Sequence, residues 1–122
     1  LGAPAFISPH CPGGRANRHL MNADRFKAMK PSAFLINTAR GDIVDEAALV
    51  QALKSGELAG AGLDVFEDEP RVHHELPKLL NCVLNPHLGS ATDSTRNDMG
   101  LMVFRNMLAF FSGEPMPNAV KP

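Results

Sequence analysis

The stretch Ala33-Phe34-Leu35-Ile36-Asn37-Thr38-Ala39-Arg40-Gly41-Asp42-Ile43-Val44-Asp45-Glu46-Ala47-Ala48-Leu49 decides the fold class. Its first five residues form an apolar run of strand length without polar-apolar alternation. That pattern suits a strand covered on both faces, as in a parallel sheet. Thr38 to Gly41 reads as a loop. Asp45 is a good N-cap for a helix over 46–55. Leu49, Ala52 and Leu53 share one face of that helix, and Gly56 stands where a helix-ending glycine belongs. Strand, loop and helix in direct succession form one unit of an α/β fold.

The same alternation continues on both sides. Upstream, Ala5-Phe6-Ile7-Ser8 reads as a short buried strand stopped by Pro9. A loop follows over 10–18, with turn chemistry at Pro12-Gly13-Gly14. Asn22 caps a short helix predicted over 23–29, which Pro31 prevents from continuing. Downstream, 58–65 is a third strand whose small residues admit close helix packing. Residues 67–78 are polar and irregular. Cys82-Val83-Leu84 is a fourth strand, ended by Asn85-Pro86. A long helix is predicted over 93–112. Leu101, Phe104, Leu108 and Phe111 fall on one stripe, and Met102, Val103 and Met107 widen it, a width that predicts cover from more than one neighbour. The tail over 113–122 reads as a loop.

Four buried-type strands alternating with helices predict an α/β fold around a parallel sheet. Ligands of such sheets sit beyond the carboxyl ends of the strands. The sequence puts Pro9-His10-Cys11, Thr38-Ala39-Arg40, Asp64 to Glu69 and Pro86-His87 at those ends.

Composition narrows the function classes. The 122 residues carry 12 Lys and Arg against 13 Asp and Glu, a net charge of −1, and the basic residues are scattered. This argues against nucleic acid or an anionic membrane surface as partner. Two cysteines, Cys11 and Cys82, without a CxxC argue against a disulfide scaffold and for a reducing cytoplasm. No apolar run approaches the roughly 20 residues of a membrane span. Leu1-Gly2-Ala3-Pro4 has neither a starting Met nor a basic n-region, and reads like the interior of a longer protein.

Three residues at the predicted edge could carry chemistry. Arg40 has a planar fork that can grip a carboxylate through two hydrogen bonds; its alternative is a structural pairing with Asp64 or Glu69. Glu69 lies among four acids between Asp64 and Pro70, and such runs are commonly solvated loop. His87 follows Pro86 at a strand end. If Glu69 reaches it, the pair forms a histidine held protonated by a carboxylate, able to act as general acid and base. The donors His10, Cys11, His73, His74, Cys82 and His87 match no zinc spacing. Adjacent His73 and His74 would point to opposite faces of a regular strand. No metal site is expected. There is no Gly-x-Gly-x-x-Gly; Gly60-Ala61-Gly62 falls inside a strand, the wrong context for a phosphate-binding turn.

Residues 34–49, with 58–70 (Leu58-Ala59-Gly60-Ala61-Gly62-Leu63-Asp64-Val65-Phe66-Glu67-Asp68-Glu69-Pro70) and 85–92 (Asn85-Pro86-His87-Leu88-Gly89-Ser90-Ala91-Thr92), resemble three successive signatures of the D-isomer-specific 2-hydroxyacid dehydrogenases. His10-Cys11-Pro12, Asn17-Arg18-His19-Leu20-Met21-Asn22 and Met29-Lys30-Pro31 are similar to the stretch before them. The flavour is nearest to the glyoxylate and hydroxypyruvate reductases. The resemblance implies the second half of a Rossmann-type doubly wound parallel sheet, with about four short strands and a long C-terminal helix. Residues 1–92 would be the C-terminal half of the NAD(P)-binding domain. Residues 93–122 would be a helix and tail returning to a substrate domain outside this chain.

The implied activity is NAD- or NADP-dependent interconversion of a small 2-keto acid and a D-2-hydroxy acid, in the cytoplasm and as a homodimer. Arg40 would bind the substrate carboxylate and polarise the keto oxygen, His87 would exchange the proton, and Glu69 would orient His87 and raise its pKa. Cys11, Pro12, Thr38, Ala39, Gly89 and Ser90 would line the cofactor together with Arg40 and His87, and Asp64 would meet the nicotinamide carboxamide. The Gly-rich dinucleotide turn and the ribose selector lie outside the chain. An inactive truncated product and a nucleotide-sensing binding module are therefore the alternatives.

Overall fold

The computed structural model describes residues 4–120; Leu1-Gly2-Ala3 of the predicted interior-like start and the last two tail residues, 121–122, lie outside the described residues. The chain forms two compact units, Leu1–Gly89 and Ser90–Pro122.

The first unit holds a four-stranded parallel sheet in the order β1-β2-β3-β4. The strands are β1 Phe6–Ile7, β2 Phe34–Asn37, β3 Gly60–Leu63 and β4 Cys82–Leu84. The helices are α1 Ala23–Lys27 and α2 Glu46–Ser55. The fold class read from the sequence is therefore the one observed. Register pairs Phe6 with Phe34, Phe34 with Gly60, and Ala61 with Cys82. Three of the strands are shorter than their apolar runs, and α1 ends at Lys27 rather than at 29. There the Ala28 and Met29 N–H groups close a last turn onto the Asp24 and Phe26 carbonyls.

The predicted caps form. Asn22 accepts the Arg25 N–H and Asp45 the Ala48 N–H, and Gly56 closes α2 at φ 76°. Left-handed backbone of this kind suits a residue without Cβ.

One face of the sheet builds the core. Leu35, Ala61 and Leu63 pack with Phe26 of α1, with Leu49, Val50 and Leu53 of α2, and with Leu76. The other face departs from the expectation of cover on both sides. Phe6 is 65% exposed and Val83 66%, and Phe34 stacks on Phe6 with ring centroids 5.4 Å apart. Both α1 and α2 contribute to the core on the first face; half of a doubly wound sheet leaves the apolar residues of its other face uncovered.

A short 3-10 turn, Leu76–Lys78, precedes β4. At its start Glu75 accepts Lys54 of α2 at 2.6 Å and Lys78 at 2.5 Å. The bond to Lys54, then that to Lys78, pulls its carboxyl down to about 2 from the ordinary 4.5. A pKa lowered on folding contributes stability above the unfolded value and loses it as pH falls through the folded one. Stability is expected to drop between about pH 4.5 and 2, more steeply in the wild type than in Glu75→Gln. Urea midpoints across that window, at low and high salt, check this. The difference should shrink in salt, because the pairs are exposed.

The second unit is α3, Asp93–Phe111, with Thr92 capping the Thr95 N–H. It ends one residue before the predicted limit. Within its own unit α3 buries none of its residues. The tail folds back through a reciprocal amide pair: Asn106 Nδ2 donates to Asn118 Oδ1, and the Asn118 N–H donates to Asn106 Oδ1. Among the described residues, no helix is long and apolar enough to cross a membrane.

Candidate active site

Arg40 is presented by a turn that one side chain closes. Asn37, the last residue of β2, is 1% exposed. Its Nδ2 donates to the Arg40 carbonyl at 2.9 Å and its Oδ1 accepts the Ala39 N–H at 3.1 Å. A buried amide satisfied on both sides fixes the turn. Arg40 itself is exposed, and its Nη1 donates to the Ala39 carbonyl at 2.6 Å. Among the described residues it forms no ion pair, so the pairing with Asp64 or Glu69 considered above is not what the structure holds. The guanidinium keeps most of its five donors for a ligand. Gly41 follows, and a Cβ there would collide with the Phe66 carbonyl. The two loops touch backbone to backbone.

The four acids after β3 have separate roles. Asp64 is buried and accepts the Leu88 N–H at 2.8 Å and the Gly89 N–H at 3.1 Å. Glu67 accepts Arg18 and His19, each at 2.7 Å. Asp68 pairs with Arg71 on the surface. Glu69 accepts the Phe66 N–H at 3.0 Å through Oε1 and faces His87 Nδ1 at 2.9 Å through Oε2. The solvated-loop reading describes only Asp68.

The bond to His87, then the Phe66 N–H, holds the Glu69 carboxyl below its ordinary range; burial opposes them, and the charges of His87 and Arg40 add to them. An ionised carboxylate only accepts, so His87 Nδ1 carries a hydrogen and Nε2 is the nitrogen left for proton exchange. His87 sits at φ 56°, a conformation that costs a non-glycine residue energy. Asp64 holds it there by taking the next two N–H groups.

Arg40, Glu69 and His87 border one open cleft of about 780 Å³ with Gly13, Phe66 and Glu67. On the other side of Arg40, a second cleft of about 370 Å³ is lined by Cys11, Pro12, Thr38 and Ala39, with His10 and Gly13. Arg40 and Gly13 belong to both. A Cβ on Gly13 would stand 2.5 Å from Asp42 Oδ1, and Asp42 in turn accepts the Gly14 N–H at 2.6 Å. The structure thus gathers seven of the site residues singled out from the sequence around two adjoining clefts, with Glu69 beside His87. Asp64 and Gly89 are joined to each other behind His87, and Ser90 opens the second unit. His73 and His74 lie in a turn and stack at 4.8 Å rather than facing opposite ways.

Asn37, Gly41 and Glu46 were not singled out from the sequence. An Asn ending an apolar run is a turn signal, and a Gly directly after a functional loop residue signals close approach.

Residues 1–89 match the family model described as D-isomer specific 2-hydroxyacid dehydrogenase, NAD binding domain. The glyoxylate reductase of Thermococcus litoralis is 52% identical over 115 residues, which cover 94% of this chain and 35% of that protein. The human glyoxylate reductase/hydroxypyruvate reductase is 49% identical over 117 residues, covering 95% and 36%. The NADPH-dependent glyoxylate/hydroxypyruvate reductase of Sinorhizobium meliloti, solved with NADP and malonate, superposes with a TM-score of 0.89 at 44% identity. That match covers 95% of this chain and 36% of the solved one. The chain spans about a third of the length of the curated relatives it matches.

Proposed function

We infer the function from one premise: the chain belongs to the D-isomer specific 2-hydroxyacid dehydrogenase family. The whole protein is an NAD- or NADP-dependent reductase of a small 2-keto acid of the glyoxylate or hydroxypyruvate type, forming the D-2-hydroxy acid. The single observation that carries this reading is the 2.9 Å bond from His87 Nδ1 to Glu69 on the cleft that Arg40 also lines. A module that only binds nucleotide has no need of a carboxylate-held histidine next to a guanidinium that forms no ion pair among the described residues.

The residues present fit a nicotinamide cofactor. The smaller cleft, with the Thr38 and Ala39 backbone and Cys11-Pro12 on its walls, lies where strand ends leave main-chain groups open. Gly89, whose N–H is held by Asp64, stands two residues after His87, and Asp64 would meet the nicotinamide carboxamide. A bound nicotinamide supplies the hydride. Arg40 grips the keto acid's carboxylate and draws charge from its keto oxygen. His87 delivers a proton from Nε2 to that oxygen and takes it back in the oxidation direction. Ionised Glu69 stabilises the charged imidazole before transfer and fixes the ring plane.

Residues 1–92 are the C-terminal half of the nucleotide-binding domain, and 93–122 are the helix and tail that rejoin a substrate domain. A homodimer in the cytoplasm completes the reading; the near balance of charge supports it against nucleic acid or membrane partners.

Following nicotinamide absorbance with glyoxylate or hydroxypyruvate and the whole protein tests the reading. Arg40→Lys is expected to raise KM for the keto acid roughly tenfold or more, since a point charge replaces a bidentate fork. An unchanged KM would remove Arg40 from carboxylate binding.

A further inference from the structure

Glu46 is the first residue of α2 and is only 6% exposed, so its carboxylate needs partners. Both partners lie outside its own helix. The Glu67 N–H donates to Oε1 at 2.8 Å, and the His73 N–H donates to Oε2 at 3.2 Å. The start of α2 does not require this side chain, because Asp45 already caps it through the Ala48 N–H at 2.9 Å. The two oxygens instead hold two points of the loop after β3, one on each side of Glu69. Between these points Glu69 takes the Phe66 N–H and meets His87. Two neighbouring cations, Arg18 and Arg71, are engaged by Glu67 and Asp68. The clamp is therefore made of main-chain bonds, which fix position.

We propose that Glu46 is a positioning residue for the proton-transferring pair: by clamping the loop at Glu67 and His73 it sets where the Glu69 carboxylate meets His87, with no ligand contact of its own. The inference rests on the acid-base reading of His87 given above.

The test is Glu46→Gln in the whole protein, which keeps the side-chain shape but turns an NH2 group toward one of the two N–H donors. The kcat for keto-acid reduction is expected to fall roughly tenfold while KM changes less than about twofold. The Nδ1–H proton resonance of His87, followed by NMR of labelled histidine, is expected to move upfield and to exchange faster as Glu69 leaves Nδ1. Leu49→Ala, in the same helix, should lower thermal stability without moving that resonance. A Glu46→Gln protein with wild-type kcat and an unmoved resonance overturns the proposal. Should Glu46→Gln fail to fold, Glu46→Asp, which keeps the charge but reaches one donor, carries the same readouts; a shifted resonance supports the clamp and an unshifted one overturns it. If the wild type reduces no keto acid, the acid-base reading fails, and the resonance still decides whether Glu46 controls the pair.

Discussion

His87→Ala in the whole protein is expected to abolish keto-acid reduction while leaving nicotinamide binding nearly intact. A positioned general acid contributes about 10²- to 10⁴-fold, and neither Glu69 nor Arg40 beside it can replace this one. Glu69 is held ionised, so it has no proton to give at neutral pH. The Arg40 guanidinium is taken up by the substrate carboxylate in this reading. Cys11 lines the smaller cleft, which His87 does not border. Steady-state rates should therefore fall in kcat, and a fluorescence titration with reduced nicotinamide should give a Kd close to that of the wild type. Wild-type turnover in the variant would remove His87 from the proton-transfer role. Lost cofactor affinity would recast it as a binding residue.

Gly41→Ala is expected to be among the most destabilising single changes in the first unit. The added methyl would overlap the Phe66 carbonyl and press on the Glu67 nitrogen, which is main chain and cannot rotate away. Overpacking of this kind costs about 3 kcal/mol, roughly 10–20 °C in Tm for a unit of this size. Gly56→Ala provides the contrast. Nothing lies within 4 Å of a Cβ there, so only the φ of 76° is strained, and a loss of about 1 kcal/mol is expected. Thermal melts of both variants separate the two causes. A Gly41→Ala protein as stable as Gly56→Ala would mean that the two loops slide apart at little cost. The damage should also reach the site, because the Phe66 N–H is one of the donors on Glu69.

Much of this architecture was legible in the residues themselves. Asn22, Asp45 and Gly56 carry their own instructions, since capping is a local hydrogen-bonding matter, and the corresponding helix ends form as read. The carboxyl edge was legible because apolar runs stop where polar ones start. Arg40, Glu69 and His87 each follow such a stop. That half a sheet leaves apolar surface uncovered was legible, but which residues of each run lie on that surface was not. Phe34 and Leu35 are neighbours of similar hydrophobicity, yet one is 38% exposed and the other fully buried; only the placement of α1 and α2 tells them apart. Glu46 was hidden for a related reason. On a helical wheel it is an ordinary polar residue of a first turn, and its partners lie 21 and 27 residues away along the chain. Gly41 was passed over because the backbone it touches belongs to a loop without regular pattern.

The spatial order of the sheet repeats its order along the chain. Each strand therefore meets its neighbour as soon as one connecting segment has been crossed, 26, 22 and 18 residues in turn, and each closure costs a modest entropy. No strand has to wait between two others for a partner made much later. The sheet can assemble by zippering from either end, and its refolding should be faster than that of a parallel sheet of equal size whose strand order reverses in the middle.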